Sequence, residues 1–349
     1  MWWVLGGLPG WGPKRARQAV RQAGSLEAAV HWGLKGLDNR KMWLERRLEK
    51  LHATREQGVW ALAWDDAAYP SGWRELADAP LVVFGRGAPF ALERPVHGVA
   101  VVGTRKCSQE GREVAFELGK ALALRGATVV SGLARGIDAA AHRGACYAGQ
   151  RTVGILGGPV NQVQPQSSRP IARRMVELGG SVISEHAADE PVNPWHFAAR
   201  NRLVVGLSKA LVLIQSPARG GALISVQLAL DQGVPCWVYE PPTADSRLWK
   251  GNWDLLEEFP EMGWSSVDVL ADRLAGVCAA GVACSAEQGI PEVFLPTWRL
   301  LIAARGLQLE TLALRMGLSP AQMSSQLHAM EMGGWVRRLP GQWYIPAER

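Results

Sequence analysis

Cysteine is scarce: there are five in 349 residues, at 107, 146, 236, 278 and 284, with no C-x-x-C pair and an odd total. That excludes a disulfide framework and a zinc ribbon, and it fits a chain kept in a reducing cytoplasm. No run of ~18 uninterrupted apolar residues occurs, so no membrane span is expected. The opening Met1-Trp2-Trp3-Val4 has no basic n-region and is broken by Gly6, Gly7 and Pro9, which argues against a secretory signal. The marks of common enzyme classes are missing too. The first glycine turn after an apolar run is Gly103-Thr104-Arg105 rather than G-x-G-x-x-G, and no acidic residue ends the following strand to hold a ribose. No Walker lysine follows a glycine loop, no Ser/His/Asp set is spaced for a nucleophile elbow, and no paired carboxylates accompany the loops. The expectation is a protein with no catalytic residue, metal or cofactor.

What is present is a chain long enough for two or three domains, 48% hydrophobic and 20% charged, which excludes global disorder. Sixteen tryptophans stand against six phenylalanines and four tyrosines; most are expected to be amphipathic packing surface rather than stacking platforms. Charge is uneven. Residues 1–60 hold eleven Lys/Arg against five Asp/Glu, and residues 96–242 hold fifteen against ten, whereas 243–295 hold three against nine. Two basic bodies around an acidic connector suggest a polyanionic partner.

Along the chain, Leu8-Pro9-Gly10-Trp11-Gly12-Pro13-Lys14-Arg15-Ala16 sets a glycine hairpin before a basic helix that runs to about Gly24. The helix N-terminus at Gly10 and Gly12, with Lys14, Arg15 and Arg17, forms a candidate phosphate seat and resembles a helix-hairpin-helix element. From residue 80 apolar runs follow at 81–84, 99–102, 128–130, 152–156, 181–183, 210–214 and 235–239, with helical patterns between the last six. The clearest helix starts after Ser108, an N-cap, and carries Val114, Leu118, Ala121 and Leu122 on one face. Uninterrupted apolar strands between amphipathic helices mean a parallel sheet covered on both faces. The fold class is therefore α/β, an extended Rossmann-like doubly wound sheet. Helices 297–304, 308–316 and 319–332, then strands 335–339 and 342–345, read as a winged helix. The expected domains are 1–60 helical, 61–242 Rossmann-like with its core at 96–242, a connector at 243–295, and the winged helix at 296–349.

The loops at the strand ends carry the chemistry. They offer Gly103, Thr104 and Arg105; then Gly132, Arg135 and Gly136 in Ser131–Asp138, with His142 one turn beyond Asp138; then Gly157-Gly158. Next come Phe197, Arg200, Asn201 and Arg202, and last Arg219, Gly220 and Gly221, with Ser225 in the following helix. Glycines let backbone amides approach an anion, helix N-termini add favourable dipole ends, and guanidinium forks match phosphate. Several such loops meeting at one sheet edge imply a phosphate-bearing ligand. His142 reads as a hydrogen-bonded structural histidine or a phosphate contact rather than a base, and Phe197 as a stacking surface or a core residue. Helix 319–332 contains no Lys or Arg, and only Arg337 and Arg338 on the wing are basic, so a docking role suits the winged helix better than major-groove reading.

The blocks at 99–111 and 131–142, Ser184-Glu185, the 197–202 run, Gly206-Leu207-Ser208 and the helix start at 221–225 together resemble the DNA-processing protein A (DprA/Smf) family. The helical start, the Tyr69-Pro70 lead-in and the closing winged helix follow its domain order. The resemblance implies a homodimer that binds single-stranded DNA in the basic crevice and loads a RecA-type recombinase onto incoming DNA in natural transformation, displacing or tolerating single-strand binding protein. Arg105, Phe197 and 200–202 match the family's DNA-contacting positions. Gln215-Ser216, Gly220-Gly221-Ala222, Ser225, Val163-Gln164-Pro165 and Pro241-Pro242 depart from its pattern. Two other readings remain. A nucleotide-processing phosphoribohydrolase would need a Pro-Gly-Gly-x-Gly-Thr loop and a catalytic Glu, which 219–222 lacks; a winged-helix regulator would need donors on its recognition helix.

Overall fold

The computed structural model describes residues 1–89, 98–241, 247–286, 290–304, 307–339 and 343–346. The chain forms two compact units, 1–278 and 279–349. In the first, nine strands make one sheet: β1 (Trp60–Ala63), β2 (Val82–Gly87), β3 (Gly98–Val102), β4 (Thr128–Ser131), β5 (Val153–Ile155), β6 (Ser181–Ser184), β7 (Ser208–Leu213), β8 (Cys236–Tyr239) and β9 (Gly263–Trp264). Their order is β1-β2-β6-β5-β4-β3-β7-β8-β9. The seven strands from β6 to β9 are parallel, and β2 and β1 close one edge antiparallel.

The apolar runs become central strands because both sheet faces are covered. Ala100, Val102, Leu211, Leu213 and Val238 point to one face, packing with Leu203, Val226, Ala229, Trp73 and Leu256. Val99, Val101, Val129, Ala210 and Val212 point to the other, against Leu118, Leu122, Ile137, Ala141 and Leu274. On that second face the helices Gln109–Leu124 and Ile137–Tyr147 meet backbone to backbone, since a Cβ at Gly119 or Gly144 would strike the carbonyls of Ala141 or Phe116. Ser108 caps the first of them, its hydroxyl accepting the Gly111 N–H at 3.0 Å.

Two expectations change. Part of the stretch read as a connector belongs to this unit: helix Lys250–Glu258, β9 and the start of helix Val267–Ala286 lie in it. Asp268 and Asp272 there pair with Arg125 at 3.0 and 2.6 Å, so some of the acidic charge is neutralised internally. The N-terminal helices Pro13–Ala23, Leu26–Lys35 and Arg40–Glu56 pack through Trp2, Leu5, Leu8, Ala16 and Ala29 onto Leu81 and the β1–β2 edge, within the same unit.

The second unit has helices Leu295–Ala304, Leu309–Met316 and Pro320–Met332 around Trp298, Leu301, Leu312, Met323 and Leu327. Its sheet has three strands rather than two, because β10 (Leu307–Gln308) pairs with β12 (Trp343–Pro346) beside β11 (Val336–Leu339). The turn expected at Pro340-Gly341 lies outside the described residues. Among the described residues no helix is long and apolar enough to cross a membrane.

Candidate nucleic-acid interface

Strand order fixes where a ligand can sit. The chain winds outward from β3 to β6 in one direction and from β7 to β9 in the other, so the C-terminal ends of neighbouring β3 and β7 form the switch point, the crevice left open in a doubly wound sheet. The loops after these strands are joined by the Thr104 N–H donating to the Gln215 carbonyl at 2.8 Å. Gly103 is required there, since a Cβ would lie 2.5 Å from Ile137 and 3.0 Å from the Gln215 carbonyl oxygen. Gln215 itself, one of the departures noted above, is fully buried. Its side-chain oxygen accepts the Ser108 N–H at 2.8 Å, and its Nε2 donates to the Ser108 hydroxyl at 3.1 Å. It joins the β7 end to the helix that follows β3.

At this switch point lies a hollow of about 570 Å³, lined among others by Gly103, Thr104, Arg105, Lys106, Asn201 and Arg219. The N-terminus of helix Gly221–Asp231 opens on it through Gly220 and Gly221, and Ser225, nine-tenths or more buried, forms part of its lining. A second hollow of about 200 Å³, with Arg135, Gly157, Gly158 and Gln162, shares Arg105, Gly132, Ala134, Phe197 and Arg200 with the first. The two are lobes of one groove, and Arg105 stands at their junction with its guanidinium carbon 5.6 Å from the centre of the Phe197 ring. Phe197 is half-buried, so it is neither a core side chain nor a free one; Gly157 lets it approach, since a Cβ there would lie 2.8 Å from the Phe197 Cα. Arg105, Lys106, Arg135 and Arg219 are exposed, and none has a carboxylate partner among the described residues. Asp138 is the one acid among the described lining residues of either lobe, and it is buried.

Other residues expected at the interface are engaged elsewhere. Arg202 is committed to two acids: its Nε donates to Asp78 at 2.8 Å and its Nη2 to Glu185 at 2.8 Å. It ties the 71–80 segment to the end of β6. Arg200 lines both lobes but is only 4% exposed. Its Nη1 donates to the Ile155 carbonyl, and its guanidinium fills the space that a Cβ on Gly132 would need. Burial lowers its pKa, and the facing Asp138 carboxylate opposes that shift. Asp138, raised by burial and opposed by Arg200, accepts the amides of Gly132 at 3.1 Å and Ala134 at 3.4 Å. Gly136 shapes the same loop, its φ of +83° being a conformation that side chains other than glycine rarely adopt.

His142 lines neither lobe. It is fully buried. Because the Thr152 hydroxyl donates to the Val129 carbonyl at 2.6 Å, it accepts from the His142 Nδ1–H at 2.8 Å. Burial pushes the imidazole from 6.5 to about 3. Between those values the unfolded chain binds a proton that the folded chain refuses, so stability should fall by about 2 kcal/mol from pH 7 to pH 5. Denaturant titrations at both pH values should show that loss, and His142→Asn should remove it; an unchanged slope would refute the assignment.

In the N-terminal helices, Lys14 and Arg15 are exposed beside Gly12, the N-cap of Pro13–Ala23, and Arg15 also donates to the Gly10 carbonyl at 3.3 Å. Arg17 turns inward, donating to the carbonyls of Ala77 and Ala79 at 2.6 and 3.0 Å. The groove also contains residues that the sequence did not single out: Lys106, Pro194, Ala198, Ile224 and Leu248. Lys106 had a signal in its place beside Arg105. Pro194 and Ala198 had one in their place around Phe197, whereas Ile224 and Leu248 had none, since nothing local distinguishes a wall from a core.

Residues 60–273 match the family model of DNA recombination-mediator protein A, and residues 300–342 match that of the DprA winged helix domain. The DNA processing protein DprA of Bacillus subtilis is 31% identical over 225 residues, 60% of this chain and 75% of its own. That of Streptococcus pneumoniae is 30% identical over 245 residues, 68% of this chain and 84% of its own. An X-ray structure of DprA from Streptococcus pneumoniae matches with a TM-score of 0.61 at 27% identity, over 77% of this chain and 95% of that one. The structure of DNA processing protein A from Helicobacter pylori, solved for its single-stranded DNA binding mode, matches with a TM-score of 0.56 at 25% identity, over 62% and 96%.

Proposed function

This chain belongs to the DNA-processing protein A (DprA/Smf) family, and from that premise we propose that it binds single-stranded DNA along the two-lobed groove and hands it to a RecA-type recombinase during natural transformation. One observation carries the reading. Arg105, Arg135 and Arg219 leave three different strand ends, face one groove without carboxylate partners among the described residues, and flank a half-buried phenylalanine. Cations that track a backbone beside an aromatic surface for bases are how single strands are held without sequence reading. The phosphates run past Arg105, Lys106, Arg135 and Arg219 and the amides of Gly220 and Gly221. A base stacks on Phe197, and Asn201 bonds the strand. The role is non-catalytic, in the cytoplasm, as a homodimer that works beside single-strand binding protein. The winged helix docks a partner.

Two measurements test this. Phe197→Ala should weaken oligothymidylate binding by about ten-fold in fluorescence anisotropy, the effect of losing one stacked base; unchanged affinity would remove the aromatic from the site. A RecA-type recombinase should be retained by the immobilised protein more strongly when single-stranded DNA is present, and equal retention with and without DNA would refute the loading role.

A further inference from the structure

The family match begins at residue 60, yet the most basic segment of the chain lies before it, with a net charge of +6 over residues 1–60. Between helices Pro13–Ala23 and Leu26–Lys35 is an open hollow of about 790 Å³. Its lining includes Trp11, Arg15, Gln18, Gln22, Trp32 and Lys35, and among the described residues no Asp or Glu lines it. Trp11 and Trp32 meet edge to face, with centroids 6.3 Å apart at 78°, and the Arg15 guanidinium carbon lies 5.1 Å from the Trp11 ring centre. Trp32 is 52% exposed, which a packing role does not explain. An adjoining hollow shares Lys35 and Leu37 and brings Arg40 and Lys41, beside Asp38 and Glu45.

We propose that this hollow is a second single-stranded nucleic-acid site, in which a base stacks on Trp32 and its flanking phosphates pair with Arg15 and Lys35. The charge commits the occupant to a polyanion. The indoles narrow the choice further, because an acidic peptide would use the cations alone, whereas unpaired bases present the π-faces that tryptophan stacks on. A duplex hides those faces inside its stack. Gln18 and Gln22 project from successive turns of one helix and supply hydrogen-bonding groups that need no fixed base. The site is separate from the sheet groove and does not depend on it.

Photocrosslinking of the full-length chain to an oligothymidylate of about 40 nucleotides carrying 5-iodouracil, long enough for two sites of ordinary size, should give two adducts. One maps to residues 103–106 or 194–222, the other to residues 8–37. Trp32→Ala and Lys35→Glu should each abolish only the second and weaken binding of the long strand about ten-fold. Trp32→Phe, which preserves a stacking ring, should restore it. Trp32 is half exposed, so the folded fraction by circular dichroism should stay the same. Failure of the groove reading would show as loss of the first adduct with the second intact. The proposal is overturned if no adduct maps to residues 8–37, if both variants bind the long strand like the parent, or if poly-glutamate competes for the second adduct as well as oligothymidylate does.

Discussion

With Arg105, Arg135 and Arg219 all replaced by alanine, affinity for an oligothymidylate should fall by at least about a hundred-fold at low salt, and the dependence of log affinity on log salt should become shallower by about 2. Each guanidinium–phosphate contact at an exposed site contributes about 1 kcal/mol or more, and three together therefore exceed two decades in affinity. The salt slope is the more diagnostic number, because each phosphate neutralised on a single strand contributes about 0.7 to it. Arg202→Ala is the internal control. Arg202 also carries a positive charge and lies close by in sequence, but its charge is already balanced by Asp78 and Glu185. Its loss should lower stability and leave the slope unchanged. If the triple variant keeps the parent slope, or if Arg202→Ala flattens it, the groove is not where the strand runs.

That contrast shows what could be read from the sequence. The parallel sheet was legible because a strand buried on both faces must be apolar at every position, and the runs that become β3, β4, β5, β7 and β8 announce themselves without any partner in view. β1 and β9 were not. The four residues of β1 are all only half-buried, and β9 is two residues long, so neither carries a period. Glycine turns and arginines at strand ends were likewise visible as types. What the sequence does not show is which arginine a carboxylate claims. Asp78 lies 124 residues before Arg202 and reaches it only because the 71–80 segment folds against the sheet. Arg200, two residues away, is buried by contacts with Gly132 and Ile155 from two other strand ends. Composition alone treats every tryptophan as packing surface, which holds for Trp2, Trp73, Trp249, Trp264 and Trp298 but not for Trp32 or Trp195, at 52% and 66% exposure.

Removing Arg200 should cost about 2–4 kcal/mol of folding stability, because it leaves the Ile155 carbonyl without its donor and takes away the charge that opposes the burial-driven rise of the Asp138 pKa. The loss should appear as a lower urea midpoint with an unchanged m-value. DNA binding should fall with it, since Asp138 holds the amides of Gly132 and Ala134 and so sets the path of the loop that carries Arg135. The cause can be separated from simple loss of packing volume. Arg200→Met keeps most of the volume and removes the charge, so it should be nearly as destabilising as Arg200→Ala. Combining Arg200→Met with Asp138→Asn removes both charges, while the Asn side-chain oxygen still accepts the two loop amides. The double variant should therefore recover at least about half of the loss, as substitutions at two interacting buried sites depart from additivity. If the two substitutions add instead, Arg200 and Asp138 are not a coupled pair, and the loop owes its shape to the glycines alone.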